Sequence, residues 1–233
     1  MSQTTVIERV YVWEWPVRLY HWINALCILA LVLTGFMIGR PIALAVAENE
    51  ASFSYYFGWI RFVHFVAAFI FFFNFIGRIY WGFVGNEYAR WDNFLPLTPR
   101  LAAKQWREVI HVIKVDVLQI HESTKHFESV GHNALAGWIY LLSFLAFLFQ
   151  AATGFGMYSA MSEAWLPSLF AWVVPLMGGD FAVRQWHHLM MWFFIIFTMI
   201  HVHLVFYHDY VEGRGVLTSM AGGWKFIERK KQD

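Results

Sequence analysis

The stretch Trp186-His187-His188-Leu189-Met190-Met191-Trp192-Phe193-Phe194-Ile195-Ile196-Phe197-Thr198-Met199-Ile200-His201-Val202-His203-Leu204-Val205-Phe206-Tyr207 decides the architecture. It carries no Asp, Glu, Lys or Arg. It is also long enough for the roughly 20 apolar residues that a helix needs to cross a bilayer. A helix is expected there because it pairs every backbone N–H and C=O within its own segment. The histidines interrupt the pattern, and an ionisable side chain inside a membrane needs a physical reason. His187 and His201 are 14 positions apart. At about 100° per residue they fall within roughly 40° of one face, about 21 Å apart along the axis. One therefore lies near each membrane surface. His203 falls about 160° from His187, and His188 about 100° from it.

Three further stretches share this apolar character, and the four spans are expected at about 21–39, 57–84, 133–158 and 185–208. The expected fold class is all-α: an integral membrane four-helix bundle, forming a single domain over residues 1–233. Composition agrees. Of the 233 residues, 59% are hydrophobic and only 14% charged, against roughly 25% charged in ordinary soluble domains. So few polar groups argue against a free-standing soluble globule. The 24 Phe, 13 Trp and 10 Tyr exclude disorder. A net charge of +1 gives no reason to expect a nucleic-acid partner. The single cysteine, Cys27, leaves no disulfide framework, no cysteine pair for zinc and no four-cysteine iron–sulfur site. Covalent haem attachment through C-x-x-C-H is absent as well. The first span does not read as a signal peptide. About 20 mixed residues, including Glu8 and Glu14, precede it, and no small-residue cleavage site follows.

Lysine and arginine set the sidedness. All but Arg40, Arg61 and Arg184 of the 17 lie in the N-terminal segment, the loop after the second span, that span's inner end, or the tail. The positive-inside rule then places both termini and the long second loop in the cytoplasm; the expected location is the cytoplasmic (inner) membrane. Within the second loop, Trp106, Ile110, Ile113, Val117 and Ile120 recur at helical spacing opposite Lys104, Arg107, His111 and Lys114. An amphipathic cytoplasmic segment over about 100–126 follows. It suits the inner membrane surface and, equally, a helix packed on other loops.

On this topology His21 opens the first span at the cytoplasmic side, level with His201, and His64 lies in the outer half of the second span, level with His187. Two imidazoles facing each other across a bundle can hold one haem iron. Such a haem has no open site for substrate, so electron transfer is its natural work. Two b haems are expected, an outer one on His64 and His187 and an inner one on His21 and His201. Each histidine taken alone reads equally well as a hydrogen-bonded packing residue. His111, His121, His126 and His132 read as solvated loop residues and His208 as interfacial. The echoing triplets Thr34-Gly35-Phe36 and Thr153-Gly154-Phe155 lie near the outer surface. Their glycines suit close approach to a flat macrocycle, but ordinary helix packing is the slightly preferred reading. Arg18, Arg61 and Arg78 suit haem propionates, and Arg18 and Arg78 equally suit membrane-end anchors. Asn74 and Gly77 receive no role.

Several motifs bear a family resemblance. Arg18-Leu19-Tyr20-His21-Trp22-Ile23, followed by Leu33-Thr34-Gly35, resembles the first-helix signature of the b-type cytochrome subunit of membrane-bound nickel–iron hydrogenases. Arg184-Gln185-Trp186-His187-His188-Leu189, with Trp192 and His201 beyond, resembles that family's last-helix signature. Trp59-Ile60-Arg61-Phe62-Val63-His64 looks like its histidine-bearing second helix, a shorter match. Gly131-His132-Asn133, Gly178-Gly179 and Thr218-Ser219-Met220 also look like this family, so the resemblance covers nearly the whole chain. Gln185 departs from it, standing where a smaller residue is expected.

The resemblance implies a non-catalytic electron-transfer subunit. It would anchor hydrogenase small and large subunits at the outer (periplasmic) face and pass electrons from their iron–sulfur chain through haem b to quinone. The implied ligands are His21, His64, His187 and His201, the same four that the geometry selects. The alternative is a cytochrome subunit of a formate dehydrogenase or another outer-face oxidoreductase. Two rivals come from other classes. A haem-free anchor would be colourless when purified, and a proton-relay transporter would show internal repeats and midplane charges. The sequence leaves haem potentials, quinone type, direction of flow and higher-order oligomers open.

Overall fold

The computed structural model describes residues 5–40, 55–95, 98–114, 130–132, 134–213 and 215–230. In chain order they form β1 (Thr5–Tyr11), α1 (Trp15–Gly39), α2 (Tyr56–Val84), α3 (Trp91–Phe94), α4 (Pro99–Val112) and α5 (Ala134–Ser159). After these come α6 (Trp165–Ser168), α7 (Val173–Leu176), α8 (Asp180–Glu212), α9 (Val216–Gly222) and β2 (Trp224–Lys230).

Helices α1, α2, α5 and α8 are long and apolar enough to cross a membrane. At most 22% of the residues in each one's most apolar stretch are buried within the chain. Their outward surfaces therefore need an apolar solvent, and the protein is a multi-pass membrane protein. The helices have 25, 29, 26 and 33 residues. At about 1.5 Å per residue each is longer than the roughly 30 Å hydrocarbon core, so each tilts or projects beyond it. Helix α1 begins earlier than its apolar run because the N–H groups of Val17 and Arg18 find Glu14 O at 3.1 and 3.2 Å. Pro16 falls in the first turn, where a missing N–H costs nothing.

The contacts group into two compact units. One draws on Met1–Leu19, Arg78–Phe144 and His203–Asp233. Here the sequence expectation missed an element: β1 and β2 pair antiparallel, from Thr5↔Lys230 to Tyr11↔Trp224. Both tails therefore lie on one side, as an even number of crossings requires. A lone two-stranded ribbon is marginal in water, and this one is braced. The Arg9 guanidinium lies 4.2 Å over the Trp224 ring, and Gly223 O accepts the N–H groups of Val12 and Trp13 at 2.8 and 3.1 Å. Gly223 has φ +88°, and a Cβ there would stand 2.5 Å from Tyr11 Cε2, so only glycine fits. Beyond the ribbon, Val12, Trp13, Val17 and Ala89 form a buried cluster.

Polar side chains lock this cluster to the end of α2. Glu14 Oε2 accepts Trp81 Nε1 at 2.9 Å and the Asn86 N–H at 2.8 Å. Asn86 Nδ2 donates to Val12 O at 2.9 Å. Arg78 is buried, donates from Nη2 to Ala89 O at 3.0 Å, and lies over the Trp91 ring at 4.4 Å. Arg18 Nη1 donates to Ala221 O. Both guanidiniums thus bind backbone carbonyls of their own unit. His132 differs from the solvated residue the sequence suggests: its ring packs edge-on against Trp13 at 4.9 Å and Tyr140 at 5.9 Å. Burial, reinforced by the Arg78 guanidinium, pushes its pKa down to about 4. Helix α4 covers Pro99–Val112 of the segment read as amphipathic; it buries Gln105 and Val109 and leaves Trp106 and Ile110, of the apolar face read from the sequence, exposed. Residues 115–126 of that segment, with His121 and His126, and the side chain of His111 lie outside the described set.

The second unit comprises Tyr20–Gly77 and Leu145–Val202. Aromatic pairs join α2 to α5: Phe71 and Phe75 meet Phe147 at 4.6 and 4.0 Å, and Phe69 and Phe72 meet Phe155 at 5.2 and 5.1 Å. Such pairs add roughly 0.5–1.5 kcal/mol each beyond area burial. Phe155 also stacks on Phe170 at 5.6 Å, tying in the segment between α6 and α7. Asn74 Nδ2 donates to Tyr20 O at 3.0 Å and Asn24 Oδ1 at 2.7 Å, which fastens α2 to α1.

Candidate functional site

All four histidines singled out from the sequence fall within the second unit. His64 Nδ1 is 2.8 Å from Thr34 Oγ1 on α1. His187 Nδ1 is 2.9 Å from Thr153 Oγ1 on α5. Thr34 Oγ1 also lies 2.6 Å from Ala30 O, and Thr153 Oγ1 lies 2.8 Å from Phe149 O. Gln150 Nε2 stands 3.0 Å from His187 Nε2.

His21 and His201 are arranged differently. The rings of His21 and His201 have centroids 6.2 Å apart, tilted by 50°. His201 stacks on Phe197 at 5.6 Å, one turn earlier on α8. Trp22 meets the His21 ring edge-on at 5.1 Å. His21 Nδ1 is buried with no hydrogen-bond partner among the described residues.

Two glycines lie against the imidazoles of His187 and His64. A Cβ on Gly154 would stand 3.1 Å from His187 Cε1, and one on Gly35 would stand 3.8 Å from His64 Cε1 and 3.3 Å from Met191 Sδ. The closeness to imidazole adds to the packing role read from the sequence. A Cβ on Gly39 would fall 2.3 Å from His188 Cε1, so α1 and α8 approach closely there. His203 and His201 are both exposed within the chain, so exposure does not separate the two faces of α8. Of the arginines considered for propionates, Arg61 extends its Nη2 to Met161 Sδ at 3.5 Å.

These residues fit a haem. Their donors are imidazoles, the usual axial ligands of a b-type electron-transfer iron. With the roughly 2.0 Å bond typical of a metal–imidazole nitrogen and about 1.1 Å more to each ring centre, two axial rings stand about 6.2 Å apart. The His21–His201 separation matches this. Glycine at 154 and at 35 lets α5 and α1 come close to His187 and His64.

Among known proteins, residues 12–223 match the prokaryotic cytochrome b561 family. The chain belongs to this family. Haem b is accordingly the cofactor of this cytochrome, and its spans are those of a haem-b membrane electron-transfer protein. A relative from Cupriavidus necator is 39% identical over 222 residues, 94% of this chain and 88% of its own. One from Azotobacter vinelandii is 38% identical over 228 residues, 96% of this chain and 91% of its own. Both are described as "Probable Ni/Fe-hydrogenase B-type cytochrome subunit". The Escherichia coli K12 "Probable Ni/Fe-hydrogenase 1 B-type cytochrome subunit" is 32% identical over 219 residues, 92% of this chain and 90% of its own. The resemblance read from the helix signatures therefore extends over the whole length of this cytochrome.

Sequence reasoning missed Thr34, Thr153 and Gln150 as histidine partners. The available signal was a hydroxyl beside a glycine, occurring twice in otherwise apolar helices.

Proposed function

We propose that this cytochrome is the membrane subunit that anchors a nickel–iron hydrogenase and carries electrons from its iron–sulfur chain to the quinone pool. The observation that carries the reading is the set of four intramembrane imidazoles: His21 and His201 at haem-spanning separation, and His64 and His187 each seated on a threonine. The relatives' descriptions support the hydrogenase partner and favour it over formate dehydrogenase. Lysine and arginine placement supports cytoplasmic termini in the inner membrane, with hydrogenase subunits at the outer face.

His64 and His187 would hold the outer haem, and His21 and His201 the inner one. Bound haem would supply a one-electron iron couple, which suits electron transfer. The chain's own contribution is placement and medium. Four helices fix the imidazoles, and Phe65 beside His64, Trp22 beside His21 and Phe197 beside His201 keep their surroundings apolar. No residue of the chain is assigned bond-making chemistry. Hydrogen is oxidised on the partner.

The test compares membranes with and without this chain. Loss of hydrogen-dependent quinone reduction, with reduction of a soluble dye retained by the hydrogenase, is the expected result. Quinone reduction at an unchanged rate without the chain would refute the reading.

A further inference from the structure

Each outer histidine rests on a threonine whose hydroxyl also contacts a backbone carbonyl one turn back. Thr34 Oγ1 and Ala30 O are both oxygens, 2.6 Å apart. That contact is attractive only with a hydrogen between them, and a carbonyl has none to give. The hydroxyl proton of Thr34 therefore points at Ala30 O. Its lone pairs face His64 Nδ1 at 2.8 Å, so the ring nitrogen must carry the hydrogen. The same logic holds at Thr153, which spends its proton on Phe149 O at 2.8 Å and accepts from His187 Nδ1 at 2.9 Å. Gln150 Nε2 stands 3.0 Å from His187 Nε2, the nitrogen an iron would take, so that contact must break when haem binds.

We propose that Thr34 and Thr153 are positioning residues that hold His64 and His187 as Nδ1–H tautomers and so present both Nε2 lone pairs to one iron. This rests on the ligand assignment above. The glycine after each threonine completes the device, since Gly35 and Gly154 leave room beside the Cε1 that joins the two ring nitrogens. The inner pair lacks it: His21 Nδ1 has no partner among the described residues. An Nδ1–H held by an acceptor makes imidazole a stronger donor and favours ferric over ferrous iron. Two threonines on different helices, α1 and α5, thus act on the same couple.

The test is potentiometric titration of the purified haem-loaded protein in Thr34→Val and Thr153→Val, which keep side-chain shape and remove the acceptor. Each should weaken the ferric preference of the outer haem three- to tenfold, raising its midpoint by about 30–60 mV at 59 mV per decade for one electron. Both should move the same haem and leave the inner one in place, the inner haem serving as the folding control. Thr34→Ser and Thr153→Ser, which restore the hydroxyl, should recover the wild-type midpoint. Unmoved potentials, shifts on two different haems, or no recovery with serine would overturn the proposal. His64→Ala and His187→Ala separate the two levels of argument. Loss of one haem in both upholds the ligand assignment whatever the threonine variants do, and retention of both haems sinks that assignment and the relay with it.

Discussion

Replacing Gly154 by alanine sets two effects of opposite sign against each other. In a helix interior alanine is favoured over glycine by roughly 0.5–1 kcal/mol, because glycine gives up more backbone freedom on folding. At this position the new Cβ would stand 3.1 Å from His187 Cε1, below the 3.4 Å at which ordinary van der Waals contact begins. His187 must give way by a few tenths of an ångström, and its bonds to Thr153 at 2.9 Å and Gln150 at 3.0 Å must stretch. Overpacking of this kind costs roughly 1–3 kcal/mol, so Gly154→Ala should be neutral to destabilising by about 2 kcal/mol. Gly77 supplies the control. It is also interior to a helix, but a Cβ there meets nothing within 4 Å. Gly77→Ala should therefore gain the full roughly 0.5–1 kcal/mol. Thermal unfolding of the detergent-purified variants, with haem content measured alongside, reads both. A raised midpoint for Gly77→Ala, with a lower one and reduced outer-haem retention for Gly154→Ala, is expected. Equal stabilisation by both, with haem content unchanged, would refute the close-approach argument.

Two further predictions concern the other compact unit. Glu14→Ala leaves Trp81 Nε1 and the Asn86 N–H without their shared acceptor. It should cost roughly 1–3 kcal/mol and speed protease cleavage between β1 and α1, while Glu14→Gln, which keeps one oxygen, should be milder. His132 adds a pH dependence. Its folded pKa of about 4 lies below the ordinary 6.5, so the unfolded chain takes up the proton first as pH falls. Its contribution is intact above pH 6.5 and is lost progressively toward pH 4. The gap in unfolding midpoint between wild type and His132→Phe should shift against wild type over that window, and a pH-independent gap would count against the buried neutral ring.

The spans were legible because apolar length needs no tertiary information, and the four histidines because imidazole is conspicuous in a hydrocarbon setting. The structure adds what depends on partners distant in sequence. Thr5 finds Lys230 only after the whole chain has folded, and each strand is seven residues long, so no local pattern announces the ribbon. His132 looked like a loop histidine because Trp13 and Tyr140 come to it from other segments. Thr34 and Thr153 were hidden for another reason. A threonine in an apolar helix commonly bonds its own backbone one turn back, and both do so. What the spacing could not convey is that the same oxygens also face an imidazole. Asn74, without a role from the sequence, proved to be the polar clasp between α1 and α2.

The central claim is that two histidine pairs hold two b haems in one chain. The most direct measurement is a reduced-minus-oxidised absorption spectrum of the detergent-purified protein, with haem counted per chain. Two low-spin b haems per chain are predicted. A folded preparation, made with haem available and holding one or none, would contradict the assignment of both pairs.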